Sequence, residues 1–201
     1  FIDALGLPLL SSDRYEADDL LGSAAHHARE QGHNVTILSA DKDLAQLITE
    51  QDIFWNYAKN ERLTPNKIKD HFGVRPDQIA DQLALAGDKV DNIPGVPGVG
   101  MTTAARLLNK FDSIDNLLAN ISDISSMKIR GAKRIQDLVE EHQDMVRLCK
   151  RLTEIKCDAE PSTGSFRLHR NSCDQNALEE LFDQLGFGNL RRQRWEKMIT
   201  A

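Results

Sequence analysis

Seven carboxylates stand in three short groups: Glu16, Asp18 and Asp19; Asp41 and Asp43; Asp88 and Asp91. Each group has a different local setting. The first opens a predicted helix, where acids also cap free amides and favour the helix dipole, so capping and ligation are both open there. Asp41 and Asp43 follow the carboxyl end of a predicted strand, the edge at which open α/β sheets build their sites. Asp88 and Asp91 follow the end of a helix, where negative charge is unfavourable to the dipole, and capping explains them poorly. If the three groups converge, their mutual repulsion demands bound cations, and hard oxygen ligands suit Mg²⁺ or Mn²⁺. Two such ions roughly 4 Å apart can activate a water and stabilise the leaving oxygen of a phosphodiester.

A second constellation begins before the last pair has ended. Residues 87–108 read GDKVDNIPGVPGVGMTTAARLL. Gly95, Gly98 and Gly100 permit positive φ and close backbone approach, while Pro94 and Pro97 stiffen the turns between them. Met101-Thr102-Thr103 then starts a helix whose unbonded amides suit a phosphate. A glycine-rich loop by itself is equally a tight connection between helices. The stricter Val96-Pro97-Gly98-Val99-Gly100, with small Ala104 four residues on, resembles the helix-hairpin-helix module, which holds a nucleic-acid backbone without reading sequence. Such a module works through backbone amides and does not require a basic protein.

The elements that must position these groups change character along the chain. Apolar residues at Ala17, Leu20, Leu21, Ala24, Ala25 and Ala28 recur at helical spacing over 16–31, and Gly32 terminates them. Val35-Thr36-Ile37-Leu38 predicts a buried strand, a helix follows through Leu44, Leu47 and Ile48, and Ile53-Phe54-Trp55 predicts another strand. Leu7-Pro8-Leu9-Leu10 is read as a further short strand. This rhythm is that of a parallel sheet covered by helices. After Arg62 the pattern becomes helical, with Thr64-Pro65 as an entry and Gly73 as a stop, then helices at 77–86, 101–110, 113–119, 131–140, 143–150, 175–185 and 189–198.

Composition sets the outer limits. The chain has 201 residues, 40% of them hydrophobic, enough for one large or two small domains. A net charge of −6 argues against wholesale coating of a polyanion but does not exclude local contact with one. Cys149, Cys157 and Cys173 are odd in number and lack CxxC spacing, so neither a disulfide framework nor a zinc site is expected, and a reducing cytoplasm is. No apolar run approaches the ~20 residues of a membrane span. Phe1-Ile2-Asp3-Ala4-Leu5-Gly6 reads as the end of a helix already in progress, which leads us to expect a preceding segment.

Glu16-Ala17-Asp18-Asp19, Ala40-Asp41-Lys42-Asp43-Leu44 with Gln46-Leu47, and Gly87-Asp88-Lys89-Val90-Asp91-Asn92-Ile93-Pro94-Gly95 occur in the order found in the bacterial 5′–3′ exonuclease and flap endonuclease family, which includes the 5′-nuclease domain of DNA polymerase I. The chain resembles that family over nearly its whole length, least over 159–173. The resemblance implies an incomplete PIN/Rossmann-like α/β portion at 1–62, then an all-helical DNA-binding portion at 63–201 with the helix-hairpin-helix at 92–108. It implies metal-site roles for Glu16, Asp18, Asp19, Asp41, Asp43, Asp88 and Asp91, with Asp18, Asp41 and Asp43 the catalytic acids, and two Mg²⁺ or Mn²⁺ ions. It places a DNA backbone at 95–103, including Thr102 and Thr103, and a monovalent cation such as K⁺ on the carbonyls of Val96 and Val99. The expected partner is DNA with a 5′ flap or a free 5′ end beside duplex; no protein partner is indicated. An earlier strand with a further metal-binding Asp, and an arch with basic residues, are family features not found after Phe1.

The remaining candidates each carry a bland reading as well. Arg106 with Lys110, and the run Lys128-Ile129-Arg130-Gly131-Ala132-Lys133-Arg134, are further backbone contacts or solvated helix faces. Arg191, Arg192 and Arg194 touch DNA or complement a helix end. Trp55 and Trp195 are expected to pack rather than stack on bases. The six histidines are scattered without paired spacing. Beside the nuclease reading, a non-catalytic DNA-binding fragment and a piece of a DNA polymerase I stand as alternatives.

Overall fold

The computed structural model describes residues 1–166 and 169–199. They form two compact units, one of Arg29–Lys156 and one of Phe1–Ala28 with Cys157–Ala201.

Within Arg29–Lys156, β1 (Thr36–Leu38) pairs in parallel with β2 (Ile53–Asn56), setting Ile37 opposite Phe54. Ile37 and Phe54 are buried on one face, as alternation requires of a half-covered sheet. A third strand, β3 (Glu61–Leu63), runs antiparallel to β2. The sequence pattern does not predict this strand. The turn between them has Asn60 at φ 50, and the Asn56 side chain accepts the Lys59 N–H at 3.2 Å. Asn tolerates that conformation and supplies local hydrogen bonds, so the hairpin was signalled by its turn rather than by its short strands. The segment after β1 is also tighter than expected. It forms a 3₁₀ helix, Lys42–Leu47, in which Leu44 and Leu47 are buried three residues apart, one 3₁₀ turn.

Asp52 ties this layer together. Its carboxylate is 2% exposed and accepts from the Val35 N–H at 2.9 Å, the Thr49 N–H at 2.8 Å and the Thr49 hydroxyl at 2.6 Å, with Arg29 Nη2 at 2.7 Å. Burial disfavours its charge, but the donors from Thr49, Val35 and Arg29 outweigh burial and hold the carboxyl below its ordinary range. A depressed folded pKa contributes stability that is present above the unfolded value of ~3.9 and lost as pH falls through the folded value. Asp52→Asn is expected to lower the unfolding free energy by about 2 kcal/mol at neutral pH. The gap from the parent should narrow below pH ~4 in urea unfolding series.

The helices of this unit are α2 (Pro65–Phe72), α3 (Ile79–Ala86), α4 (Met101–Phe111), α5 (Ile114–Ala119), α6 (Ala132–Glu141) and α7 (Gln143–Thr153). Thr64 precedes α2 but its side chain makes no capping bond; Pro65 in the first turn and Gly73 at φ 77 set the ends. α3 is apolar almost all round and is buried along most of its length. α4 buries Ala104, Leu107, Leu108 and Phe111 at helical spacing and turns Thr102, Arg106 and Lys110 to solvent. Asp81 of α3, itself buried, accepts the Ile114 N–H at 2.8 Å and so caps the start of α5.

The second unit contains most of α1 (Ala17–Glu30), with α8 (Gln175–Gln184) and α9 (Asn189–Ile199). The opening residues do end a helical turn: the Leu5 N–H donates to the Phe1 carbonyl at 2.8 Å, and Gly6 at φ 68 closes it. Leu7–Leu10 is not a strand. Leu7 and Leu9 are 42% and 51% exposed, and the bridge nearby, Ser11 with Thr163, lies just beyond the segment. Pro8 removes a donor there, which weakens any ladder. Ala4, Leu178 and Phe182 form the buried centre, against which Phe1, Phe187 and Trp195 stack. Trp195 therefore packs, as expected. Arg192 spans Glu179 and Asp183 of α8, each at 2.6 Å, so this member of the Arg191–Arg194 cluster is held by intramolecular ion pairs.

Candidate metal centre

The 3₁₀ helix after β1 starts with an aspartate on each side of Lys42. Asp41 is the N-cap: its carboxylate accepts the Asp43 N–H at 2.9 Å, which fixes the backbone and aims the next side chains. Asp43 then projects from the first turn, leaving its side chain 19% exposed. After α3, Gly87 at φ 78 lets the chain reverse, and Asp88 and Ile93 exchange both backbone hydrogen bonds across the bend. Asp88 Oδ1 accepts the Val90 N–H at 2.7 Å, so a turn cap accounts for one of its oxygens, contrary to the expectation that capping explains it poorly. Its second oxygen points elsewhere.

The Asp88 carboxylate also meets other acids. One carboxylate oxygen from each of Asp43, Asp88 and Asp91 lies within 4.8 Å of the others. Asp88 is buried and Asp91 exposed, so the cluster is open to solvent on one side. Burial, with the charges of Asp41, Asp88 and Asp91 and against the pull of Lys42, raises the Asp43 carboxyl to about 6. Asp43 Oδ1 is buried and has no hydrogen-bond partner. An aspartate with a buried, unpartnered oxygen, sharing a site with two further carboxylates, fits a hard divalent cation, which would relieve both the repulsion and the unmet acceptor. Asp88 differs from Asp43: Lys42 donates to Asp88 Oδ2 at 2.9 Å and holds that carboxyl below its usual range.

Four of the seven predicted acids thus belong to one compact unit, with Asp43, Asp88 and Asp91 sharing a site and Asp41 at its rim. Glu16, Asp18 and Asp19 belong to the other unit, at the start of α1. There Asp19 Oδ2 accepts the Glu16 N–H at 3.2 Å, a local helix-entry contact. Neither Lys42 nor Gln46 has a role predicted from the sequence. Lys42 was legible as the cation between two acids. Gln46 was not: it donates to the Thr153 carbonyl at 3.0 Å and accepts the Ile155 N–H at 3.1 Å, partners more than a hundred residues away.

The glycine-rich hairpin continues from the same bend. Val96 and Val99 are buried, and the Val96 carbonyl accepts the Val99 N–H at 3.0 Å. Gly98 and Gly100 have open space where a side chain would stand, so a ligand backbone can approach them. Gly95 differs. A Cβ there would meet the Gly87 nitrogen at 2.3 Å, so this glycine serves a close approach inside the protein. Gly100 precedes α4 without a side-chain cap, leaving the first amides of the helix, Met101 and Thr102, without intrahelical acceptors. Lys128, Arg130 and Lys133 are exposed around the entry to α6, with Lys133 paired to Asp137 at 2.9 Å.

Two family models cover most of the chain: the 5′-3′ exonuclease N-terminal resolvase-like domain matches residues 1–73, and the 5′-3′ exonuclease C-terminal SAM fold matches residues 74–176. The chain belongs to the 5′-3′ exonuclease family. It is 41% identical over 157 residues to the 5′-3′ exonuclease of Buchnera aphidicola, covering 78% of this chain and 55% of that protein. It is 36% identical over 188 residues to the 5′-3′ exonuclease of Aquifex aeolicus, covering 94% of this chain and 62% of that one. DNA polymerase I of Bacillus subtilis is 36% identical over 204 residues, an alignment that takes in 100% of this chain and 22% of the polymerase. The chain therefore spans only part of the length of these relatives. Among solved structures, bacteriophage T5 5′-exonuclease with bound zinc ions is similar with a TM-score of 0.59 at 19% identity, over 69% of this chain and 49% of that one. The T5 flap endonuclease in a pseudo-enzyme-product complex with DNA and metal ions is similar with a TM-score of 0.60 at 18% identity. These likenesses establish the fold: an α/β portion followed by a helical one.

Proposed function

We propose that this chain carries the catalytic acids and the duplex-holding hairpin of a metal-dependent 5′ nuclease that hydrolyses DNA phosphodiesters at a 5′ flap or a free 5′ end beside duplex. The observation that carries the reading is the convergence of Asp43, Asp88 and Asp91 on one point, directly before a hairpin with open glycines and uncapped helix amides. Divalent ions, Mg²⁺ or Mn²⁺ and two in number in this reading, would supply activation of the attacking water and stabilisation of the departing 3′ oxygen. Asp43, Asp88 and Asp91 would hold them, and Asp41 fixes the turn from which Asp43 projects. Glu16, Asp18 and Asp19 keep the ligand role that their motif gives them.

The hairpin supplies position. Gly98 and Gly100 admit a phosphate close to the backbone, and the N–H groups of Met101 and Thr102 donate to it with the favourable end of the α4 dipole behind them. Thr103, Arg106, Lys128, Arg130 and Lys133 extend the contact along the backbone, and a potassium ion on the Val96 and Val99 carbonyls belongs to the same reading. Amide and phosphate contacts carry no sequence information, so substrate shape selects the cut. Among the described residues no helix is long and apolar enough to cross a membrane. The work belongs in the bacterial cytoplasm, on DNA.

The test is cleavage of an end-labelled flap duplex by the full-length protein that contains this chain. Cutting with Mg²⁺, products bearing a 5′ phosphate, indifference to flap sequence and complete loss in excess EDTA are expected. Binding of the duplex with no cutting at any Mg²⁺ or Mn²⁺ concentration would leave a DNA-binding role and remove the nuclease.

A further inference from the structure

The acid cluster contains a cation of its own. Lys42 Nζ lies 2.9 Å from Asp88 Oδ2 and 4.0 Å from Asp43 Oδ1, the buried oxygen that has no hydrogen-bond partner. These two carboxylates are also two of the three whose oxygens converge. An ammonium group in hydrogen-bonding contact with one of these carboxylates and 4.0 Å from another would repel a divalent ion held by the same three acids. The two cations therefore compete for the same carboxylates.

The local chain shows which part is able to yield. The backbone at Lys42 is held, because Asp41 caps the 3₁₀ helix and Leu44, Ala45 and Leu47 bury its inner face. Asp88 is held by its turn, through the Val90 N–H. The Lys42 side chain is 52% exposed and can swing into water by rotating about its own flexible stem. Only the lysine head can leave without unfolding the site.

We propose that Lys42 is a built-in counter-ion: it neutralises Asp88 and Asp43 until a divalent ion displaces it, and so sets the ion concentration at which the centre fills. This rests on the metal-nuclease reading above. It differs from a ligand role, since Lys42 leaves when the ion enters, and from a plain surface ion pair, since its removal should improve ion binding.

The test uses Mn²⁺ alone, without DNA, on the full-length protein at low salt, followed by calorimetry and by electron paramagnetic resonance of free Mn²⁺. Lys42→Met keeps the stem and removes the charge; it is expected to bind Mn²⁺ about tenfold more tightly, the lower end of what partners around a metal site contribute. Lys42→Arg retains the charge and should stay near the parent affinity. Without ion, Lys42→Met should unfold at a lower temperature than the parent, and saturating Mn²⁺ should close that difference. Parent and Lys42→Met binding Mn²⁺ equally, or the variant binding more weakly, would overturn the counter-ion role while leaving the metal centre in place. Absence of Mn²⁺ binding by both proteins would overturn the metal centre itself, and the inference with it.

Discussion

Asp43→Asn in the full-length protein is expected to lower cleavage of a flap duplex on the order of 10³-fold while making the ion-free protein more stable. The two effects have one cause. Asp43 Oδ1 is buried with no hydrogen-bond donor, among Asp41, Asp88 and Asp91. Its charge is costly in the folded protein alone and useful only when a cation is shared. Loss of one ligand removes several kcal/mol of charge stabilisation in the transition state, and each 1.36 kcal/mol is about tenfold in rate. Asparagine keeps the shape and removes the repulsion, adding about 1–2 kcal/mol to the unfolding free energy at pH 7. The pH dependence follows from the raised carboxyl. Between the unfolded value of ~3.9 and about 6 the folded state binds more protons than the unfolded one, so ion-free stability rises as pH falls through about 6 and levels off below ~4. Asp43→Asn should flatten that slope. Flap cleavage by Asp43→Asn at the parental rate, under subsaturating Mg²⁺, would remove Asp43 from the chemistry.

Gly95→Ala should cost about 3 kcal/mol of stability, from a strained left-handed residue and an overpacked contact together. Its φ is +62, and a Cβ would meet the Gly87 nitrogen at 2.3 Å, the Ala86 carbonyl carbon at 2.7 Å and the Gly87 Cα at 2.8 Å. All three neighbours are backbone, so no side chain can move aside. The contact joins the end of α3 to the hairpin, where the Val96 N–H also donates to the Leu85 carbonyl at 2.8 Å. Displacing it disturbs Asp88 and the hairpin in one step. Gly98→Ala is the control. Gly98 has φ +78 but open space around it, so only the conformational cost of about 1 kcal/mol applies. Its added methyl would instead stand where the proposed phosphate approaches, weakening duplex binding without unfolding the protein. Equal denaturation midpoints for Gly95→Ala and the parent would show that the hairpin is not seated against α3.

The contrast between these glycines shows how far the chain could be read in advance. Both are glycines in one motif, and both were expected to face DNA. Sequence spacing cannot distinguish a backbone that must approach another part of the protein from one that must approach a ligand, because both demand the absence of a Cβ. The helices were legible for the opposite reason. Leu107, Leu108 and Phe111 of α4, or Val146 and Cys149 of α7, repeat at a period that only a helix can turn to one side, and that information is local. Leu7–Leu10 was misread because four apolar residues without a partner in hand carry no period at all.

By itself the sequence determined the family, the helical elements, the three acidic motifs and the junction of acid with a glycine-rich bend, since each is written in residue type at short range. Tertiary structure decided which oxygens share a site. Asp43 and Asp88 are 45 positions apart in the numbering, yet meet because Asp41 aims one turn and Gly87 reverses another. It decided as well that Lys42 lies on Asp88 and that Gln46 reaches Thr153 and Ile155. Those contacts depend on side-chain direction after the chain has folded back on itself, and charge and hydrogen-bonding capacity do not specify a partner until packing brings one within about 3 Å.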